Sequence, residues 1–286
     1  AARRQARKIR RPDRDDRRMK VELLRDTERP AGWWLMVGAS EQSFVDLDDP
    51  AHLEFEYVQL MSYVVETAYP EDVPLSALHL GRGLCTVPRW MAVRYPGSAQ
   101  RVAEASEEIA GLARSIDPHP PFDLDVTDAE AAVATTAPGS VDVVVSDVYV
   151  GPETVLSVYP PPALVAARTV LRADGLYLCN VSDAKPFALA KTVVATLRSV
   201  FDDVVLLAEP AVLRGRRSGN FVLAASDRSL DRVELGRRAT GGVVRARLLA
   251  DGELDGFVGD AVVALEETAL PASGESPRLS LVKPAR

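Results

Sequence analysis

Leu78-His79-Leu80-Gly81-Arg82-Gly83 is the stretch that decides the fold, with Glu104 about twenty residues downstream. An apolar strand pattern over 77–80 runs into a G-x-G turn. A helical pattern follows over 86–95. A second short strand, 100–104, then ends on an acid. Glycines in that turn let the backbone approach a ligand closely, and an acid at the next strand end can accept from two ribose hydroxyls. Strand, glycine turn, helix, strand and acid together predict a nucleotide-binding βαβ unit.

Working outward, the alternation continues. Strands are expected at 122–126, 141–147, 175–181, 203–208 and 219–225, and helices at 106–116, 127–135, 162–172 and 185–200. Val141-Asp142-Val143-Val144-Val145-Ser146 is almost wholly apolar, as a strand buried on both faces should be. This pattern predicts an α/β fold: a Rossmann-like, doubly wound, mostly parallel sheet with helices on both faces. The last two strands read as an antiparallel hairpin through Arg214-Gly215-Arg216-Arg217-Ser218-Gly219. Upstream, strands at 20–26, 33–37 and 42–47 predict a small N-terminal antiparallel β-domain. Asp48-Asp49-Pro50 offers a helix start, and Leu53, Tyr57, Leu60 and Val64 fall on one face of a helix running from 51 to 67. The expected organisation is a basic tail (1–19), the β-hairpin subdomain with its linking helix (20–72), the Rossmann-like domain (73–228), and a C-terminal extension and tail (229–286).

Composition narrows the class. The chain has 286 residues, of which 47% are hydrophobic, enough for a substantial core. No apolar run approaches the ~20 residues that span a bilayer, and the basic start lacks the apolar segment of a signal peptide. Residues 1–20 hold ten Lys and Arg against three Asp, yet the whole chain carries −7, so the body is more acidic still. Such a body does not offer a face to nucleic acid. Cys85 and Cys179 are too few for a disulfide framework. Cytoplasmic location is the expectation, with no membrane and no nucleic-acid partner.

Ligands of open α/β sheets bind beyond the carboxyl ends of the strands. Here consecutive strand ends carry Gly81-Arg82-Gly83, Glu104, Thr127-Asp128-Ala129 and Asp147-Val148-Tyr149. Glu104 suits ribose hydroxyls. Asp128 suits an adenine amino group, with Ala129 leaving room for the ring. Asp147 suits the cationic end of a ligand. Acids repel phosphate, and the loop lacks both a P-loop Lys-Ser/Thr and a third fingerprint glycine, Thr86 standing there. A sulfonium ion, S-adenosylmethionine or its decarboxylated form, therefore fits better than NAD or ATP. No His/Cys cluster has metal-ligand spacing.

These residues resemble the spermidine synthase family, more closely its actinobacterial spermidine-synthase-like branch. The likeness is carried by Gln42-Ser43, Leu53-Glu54-Phe55-Glu56-Tyr57, the 78–83 stretch, Glu104, Asp128-Ala129 and Val143-Val144-Val145-Ser146-Asp147, over roughly residues 33–226. The resemblance implies a homodimer. It also implies that Gln42, Gly81, Gly83, Glu104, Asp128 and Asp147 line the cofactor site.

Departures from the family pattern bear on the reaction. Polyamine-making members carry a second acid where Val150 stands, and Tyr-His-Glu where Tyr57-Val58-Gln59 stands. A dicationic diamine needs carboxylates to be bound out of water. Arg82 could meet the carboxylate that only the full cofactor has. The expectation is methyl transfer to a small neutral acceptor, with indole C3 of a tryptophan-derived cyclic dipeptide as the case the branch suggests. Aminopropyl transfer from decarboxylated S-adenosylmethionine is the alternative, and a non-catalytic nucleoside-binding homologue a further one. Candidate bases are Asp147, Tyr149, Tyr57 and His119, with His52 behind them. Trp33, Trp34 or Trp90 could stack on an aromatic acceptor.

Overall fold

The computed structural model describes residues 20–81, 83–150, 153–154 and 159–264, with 149–150 and 153–154 as backbone only. Arg82, the Tyr149 and Val150 side chains and both tails lie outside the described side chains.

The strands β1 (Val21–Arg25), β2 (Gly32–Val37) and β3 (Ser40–Asp46) form an antiparallel meander. The helix α1 (Glu56–Ala68) leads into β4 (Ser76–Leu80), α2 (Thr86–Arg94), β5 (Ala99–Glu104), α3 (Glu107–Ile116), β6 (Asp123–Val126), α4 (Ala129–Ala134) and β7 (Val141–Ser146). Two short strands, β8 (Tyr149–Val150) and β9 (Glu153–Thr154), pair with each other. Then come α5 (Pro161–Val170), β10 (Leu171–Asp183), α6 (Ala188–Arg198), β11 (Asp203–Ala208), α7 (Pro210–Leu213), β12 (Gly219–Ser226), α8 (Arg232–Gly241), β13 (Arg247–Leu249) and α9 (Asp251–Val258).

The main sheet runs β6-β5-β4-β7-β10-β12-β11-β13. Strands β6, β5, β4, β7 and β10 are parallel, and β12 enters antiparallel between β10 and β11. Strand order reverses between β4 and β7, which opens a crevice at their carboxyl ends. The sheet core follows from alternation. Leu78, Leu80, Val144, Tyr177 and Cys179 face α5 and α6, while Ala77, Val143, Val145, Leu176 and Leu178 face α1, α2 and α8. Burying one such Val or Leu contributes about 1.5–3 kcal/mol.

Four local expectations differ from the structure. Helix α1 starts at Glu56, not at 51. Asp46 accepts from the backbone nitrogens of Asp48 (3.0 Å) and Asp49 (3.2 Å), so the Asp-Asp-Pro segment is spent on a turn. Helix α5 ends at Val170, and β10 starts at Leu171 with an irregularity before Leu176; a side chain at Gly175 would strike Leu171. The hairpin of β11 and β12 contains the short helix α7. The C-terminal extension is built into the main body: α8 packs on α1, and β13 adds an edge strand beside β11. Among the described residues no helix is long and apolar enough to cross a membrane.

Candidate functional site

Gly81 ends β4 with φ +69°, and a Cβ there would lie 2.9 Å from the Asp147 carbonyl oxygen. Glycine is therefore what lets the turn pass over the end of β7. Gly83, at φ +52°, brings the turn equally close to the N-terminal sheet: its Cβ would lie 2.8 Å from Ser43 Cβ. Ser43 Oγ then accepts from the Leu84 backbone nitrogen (3.1 Å), and Thr86 Oγ1 donates to the Phe44 carbonyl (2.7 Å). The third fingerprint position is thus a threonine because it fastens the glycine turn to β3.

The strand ends converge on one cavity of about 970 Å³. Its lining includes Gln42, Tyr57, Gly81, Gly83, Glu104, Asp128, Ala129 and Asp147. Glu104, nearly buried, accepts from the Ser106 backbone nitrogen at 2.9 Å. Asp128 caps α4 through Oδ1, which accepts from Ala131 nitrogen at 2.7 Å, so it serves the helix as well as facing the cavity. Gln42 Nε2 donates to Ser40 Oγ at 2.8 Å. Asp147 follows β7 directly. The Tyr57 hydroxyl donates to its Oδ2 at 3.0 Å, and Asn180 Nδ2 donates to its Oδ1 at 3.2 Å.

The cavity walls differ in charge. Its carboxylates among the described residues are Glu104, Asp128, Glu130 and Asp147, all from the Rossmann-like body. The N-terminal sheet and α1 contribute Val21, Leu35, Val37, Gln42, Ser43, Tyr57 and Val58. Gln59 turns away: its Nε2 donates to the Leu53 carbonyl at 2.6 Å, steadying the segment before α1.

Several sequence candidates lie elsewhere. His119 is exposed in the proline-rich loop after α3 and does not line the cavity; its backbone nitrogen bonds Asp117 Oδ1 at 3.2 Å. His52 pairs with Glu54 (3.0 Å) and meets the Phe44 ring edge-on. None of the three tryptophans lines the cavity. Trp33 lies under Arg25, Trp34 Nε1 donates to Asp26 at 2.8 Å, and Trp90 packs on Tyr95 in the core. The described aromatic rings that do line it are Tyr57 and Tyr177. Burial pushes the Tyr177 hydroxyl well above its ordinary range, so it stays protonated. Tyr177 and Asn180 escaped the sequence reading because both lie inside a strand that reads as core. Only the pairing of β10 with β7 brings Asn180 beside Asp147.

Comparison with solved structures adds the scaffold's relatives. A probable spermidine synthase from Corynebacterium glutamicum is 29% identical, with 88% of this chain and 95% of that one aligned at a TM-score of 0.78. A spermidine synthase in complex with the transition-state analogue AdoDATO aligns over 85% of each chain (TM-score 0.58, 12% identity). The scaffold is spermidine synthase-like. Human methyltransferase-like protein 13, solved with SAH, shares the core fold: 75% of this chain and 94% of that one, TM-score 0.50, 17% identity. No family model and no curated protein sequence matches the chain.

Proposed function

We propose that the protein is an S-adenosylmethionine-dependent methyltransferase acting on a neutral acceptor. The observation that carries this reading is the asymmetry of the cavity lining: every described carboxylate comes from the Rossmann-like body, and the described lining residues of the N-terminal sheet and α1 are uncharged. A cationic sulfonium is favoured beside the first wall. A diamine finds no anionic partner on the second.

The residues fit such a cofactor. Gly81 and Gly83 leave the close approach that a side chain would fill. Glu104 accepts from the ribose hydroxyls, Asp128 from the adenine amino group, and Ala129 spares room for the ring. Gln42 would border the donor from the β3 side. When bound, the cofactor supplies an electrophilic methyl carbon on a positively charged sulfur. Tyr57 and Asp147 orient the acceptor against that carbon. Asp147 receives the proton that the acceptor loses after the new bond has formed, directly or through the Tyr57 hydroxyl. Indole C3 of a tryptophan-derived cyclic dipeptide suits this arrangement. It is neutral, Tyr57 offers a ring to pack on, and its methylation leaves a cation that needs only a base.

A second reading, aminopropyl transfer from decarboxylated S-adenosylmethionine, is favoured by the long alignment with a probable spermidine synthase. Calorimetric titration with each cofactor separates the two. The methyltransferase reading expects tighter binding of the full cofactor, and acceptor products heavier by about 14 Da rather than about 57 Da. Preference for the decarboxylated form with the larger mass gain overturns it.

A further inference from the structure

Asp147 is held at both carboxylate oxygens by groups that can each donate or accept. The Tyr57 hydroxyl takes Oδ2 and the Asn180 amide takes Oδ1. Asn180 is 1% exposed, on the strand next to β7, and its backbone carbonyl accepts from the Tyr159 hydroxyl at 3.2 Å. Its own side-chain oxygen is buried and has no hydrogen-bond partner among the described residues. An orphaned buried acceptor is costly, so its retention calls for a reason.

The reason lies in the two faces of an amide. A carboxylate only accepts, so it selects the amide nitrogen. A carboxylic acid donates, and a half-turn of the amide offers it the oxygen. We propose that Asn180 is a positioning residue for Asp147 that serves the carboxyl in both protonation states, holding it in place while a proton arrives. The proposal rests on Asp147 being the proton acceptor. In that step a C–H or N–H bond of the acceptor breaks, its electron pair stays with the acceptor, and an O–H bond forms on Asp147. The amide then turns so that Oδ1 accepts from the new hydroxyl. A lysine or arginine at 180 would hold the carboxylate charged and oppose the proton's arrival. Among the described residues, the titratable groups that share this space are Tyr57 on α1, Tyr177 and Cys179 on β10, Glu104 at the end of β5, and Asp128 and Glu130 at the start of α4.

The test compares Asn180→Leu, which keeps the branched skeleton in a bulkier form without the hydrogen bond, with Asn180→Asp, which adds a like charge. Removing a donor from the charged form of Asp147 favours its protonated form. The acid limb of the kcat–pH profile should therefore move up by about one pH unit in Asn180→Leu and further in Asn180→Asp, with kcat at the wild-type optimum about tenfold lower. A uniform loss of kcat at every pH, or an unchanged profile, overturns the proposal. If the wild type transfers neither group, the functional reading has failed by itself. Carbon-13 NMR titration of the Asp147 carboxyl in the same variants then still decides this proposal. An upward move of its midpoint supports the positioning role, and an unmoved midpoint sinks it. Should Asn180→Leu fail to fold, Asn180→Asp, which changes one atom, carries both measurements.

Discussion

The Rossmann-like wall of the cavity presents Glu104, Asp128, Glu130 and Asp147, whereas among the described residues the wall from the N-terminal sheet and α1 presents no charge. The two walls are also made differently. Glu104 and Asp147 come from the ends of β5 and β7, strands with buried Val and Ala, and Asp128 and Glu130 from the start of α4 after the edge strand β6. The neutral side chains come from a three-stranded meander and one helix, joined to the strand ends through Ser43, Thr86 and the glycine turn. A side chain on the meander can be exchanged with little effect on the sheet, whereas one at a strand end cannot be moved without shifting the strands. Under the proposed reading, the acid wall would hold most of the cofactor and the neutral wall would face the acceptor, with Gln42 beside the donor.

The largest expected effect comes from the charged wall. Glu104→Gln keeps the shape and one acceptor oxygen, but removes the charge and turns an amino group toward a ribose hydroxyl. Hydrogen bonds to an ionised group contribute about 1.5–3 kcal/mol each, so losing one and taking the charge from the other should weaken S-adenosylmethionine binding by about 100-fold. Calorimetry reads this directly. A loss under tenfold with an intact fold would remove Glu104 from the cofactor site and break the division between the walls.

How far the sequence disclosed these walls depends on how local each feature is. The turn at Gly81 and Gly83 and the acids at Glu104 and Asp128 are each written within a few residues of a strand end, so they were legible, whereas the capping of α4 by Asp128 was not read. Seven of the eight main-sheet strands and the doubly wound class follow from strand–helix alternation, whereas the order with its reversal at β4 and β7 comes from the pairing of the strands. Asn180 and Tyr177 were not legible, because a polar or aromatic residue inside an apolar strand gains its meaning only from the neighbouring strand's register. The start of α1 was misplaced because Asp-Asp-Pro serves a turn as readily as a helix start; here Asp46 claims the backbone donors. Strand β13 was missed because three residues, Arg247–Leu249, are too short for a period to declare itself.

A smaller effect is expected from reversing the neutral wall. Gln42→Glu would add a carboxylate to the lining that β3 contributes. A partly desolvated charge there should strengthen binding of a dicationic diamine about tenfold and weaken a neutral aromatic acceptor by a similar factor, about 1.4 kcal/mol each way. Equilibrium titration of both probes against variant and wild type sharpens the comparison. If neither affinity moves, acceptor choice does not reside on this wall.

The smallest effect concerns what supports that wall. Helix α1, which carries Tyr57 and Val58, is backed by α8, where Arg238 bonds both Glu66 of α1 (2.6 Å) and Glu234 (2.8 Å). Arg237 foremost, with Arg238 beside it, lowers the Glu234 carboxyl to about 2. A carboxyl lowered in the folded state stabilises the fold above its ordinary value near 4.5, and that contribution is lost as pH falls through 2. Because this cluster is largely open to water, screening keeps the contribution small. Melting temperatures measured from pH 6 to pH 2 should fall slightly more for wild type than for Glu234→Gln between pH 4.5 and pH 2, and the gap should shrink in high salt. Parallel curves would mean that the neutral wall is held by the buried apolar side of α1 alone. The acid wall and the neutral wall would then differ in charge but not in how they are anchored.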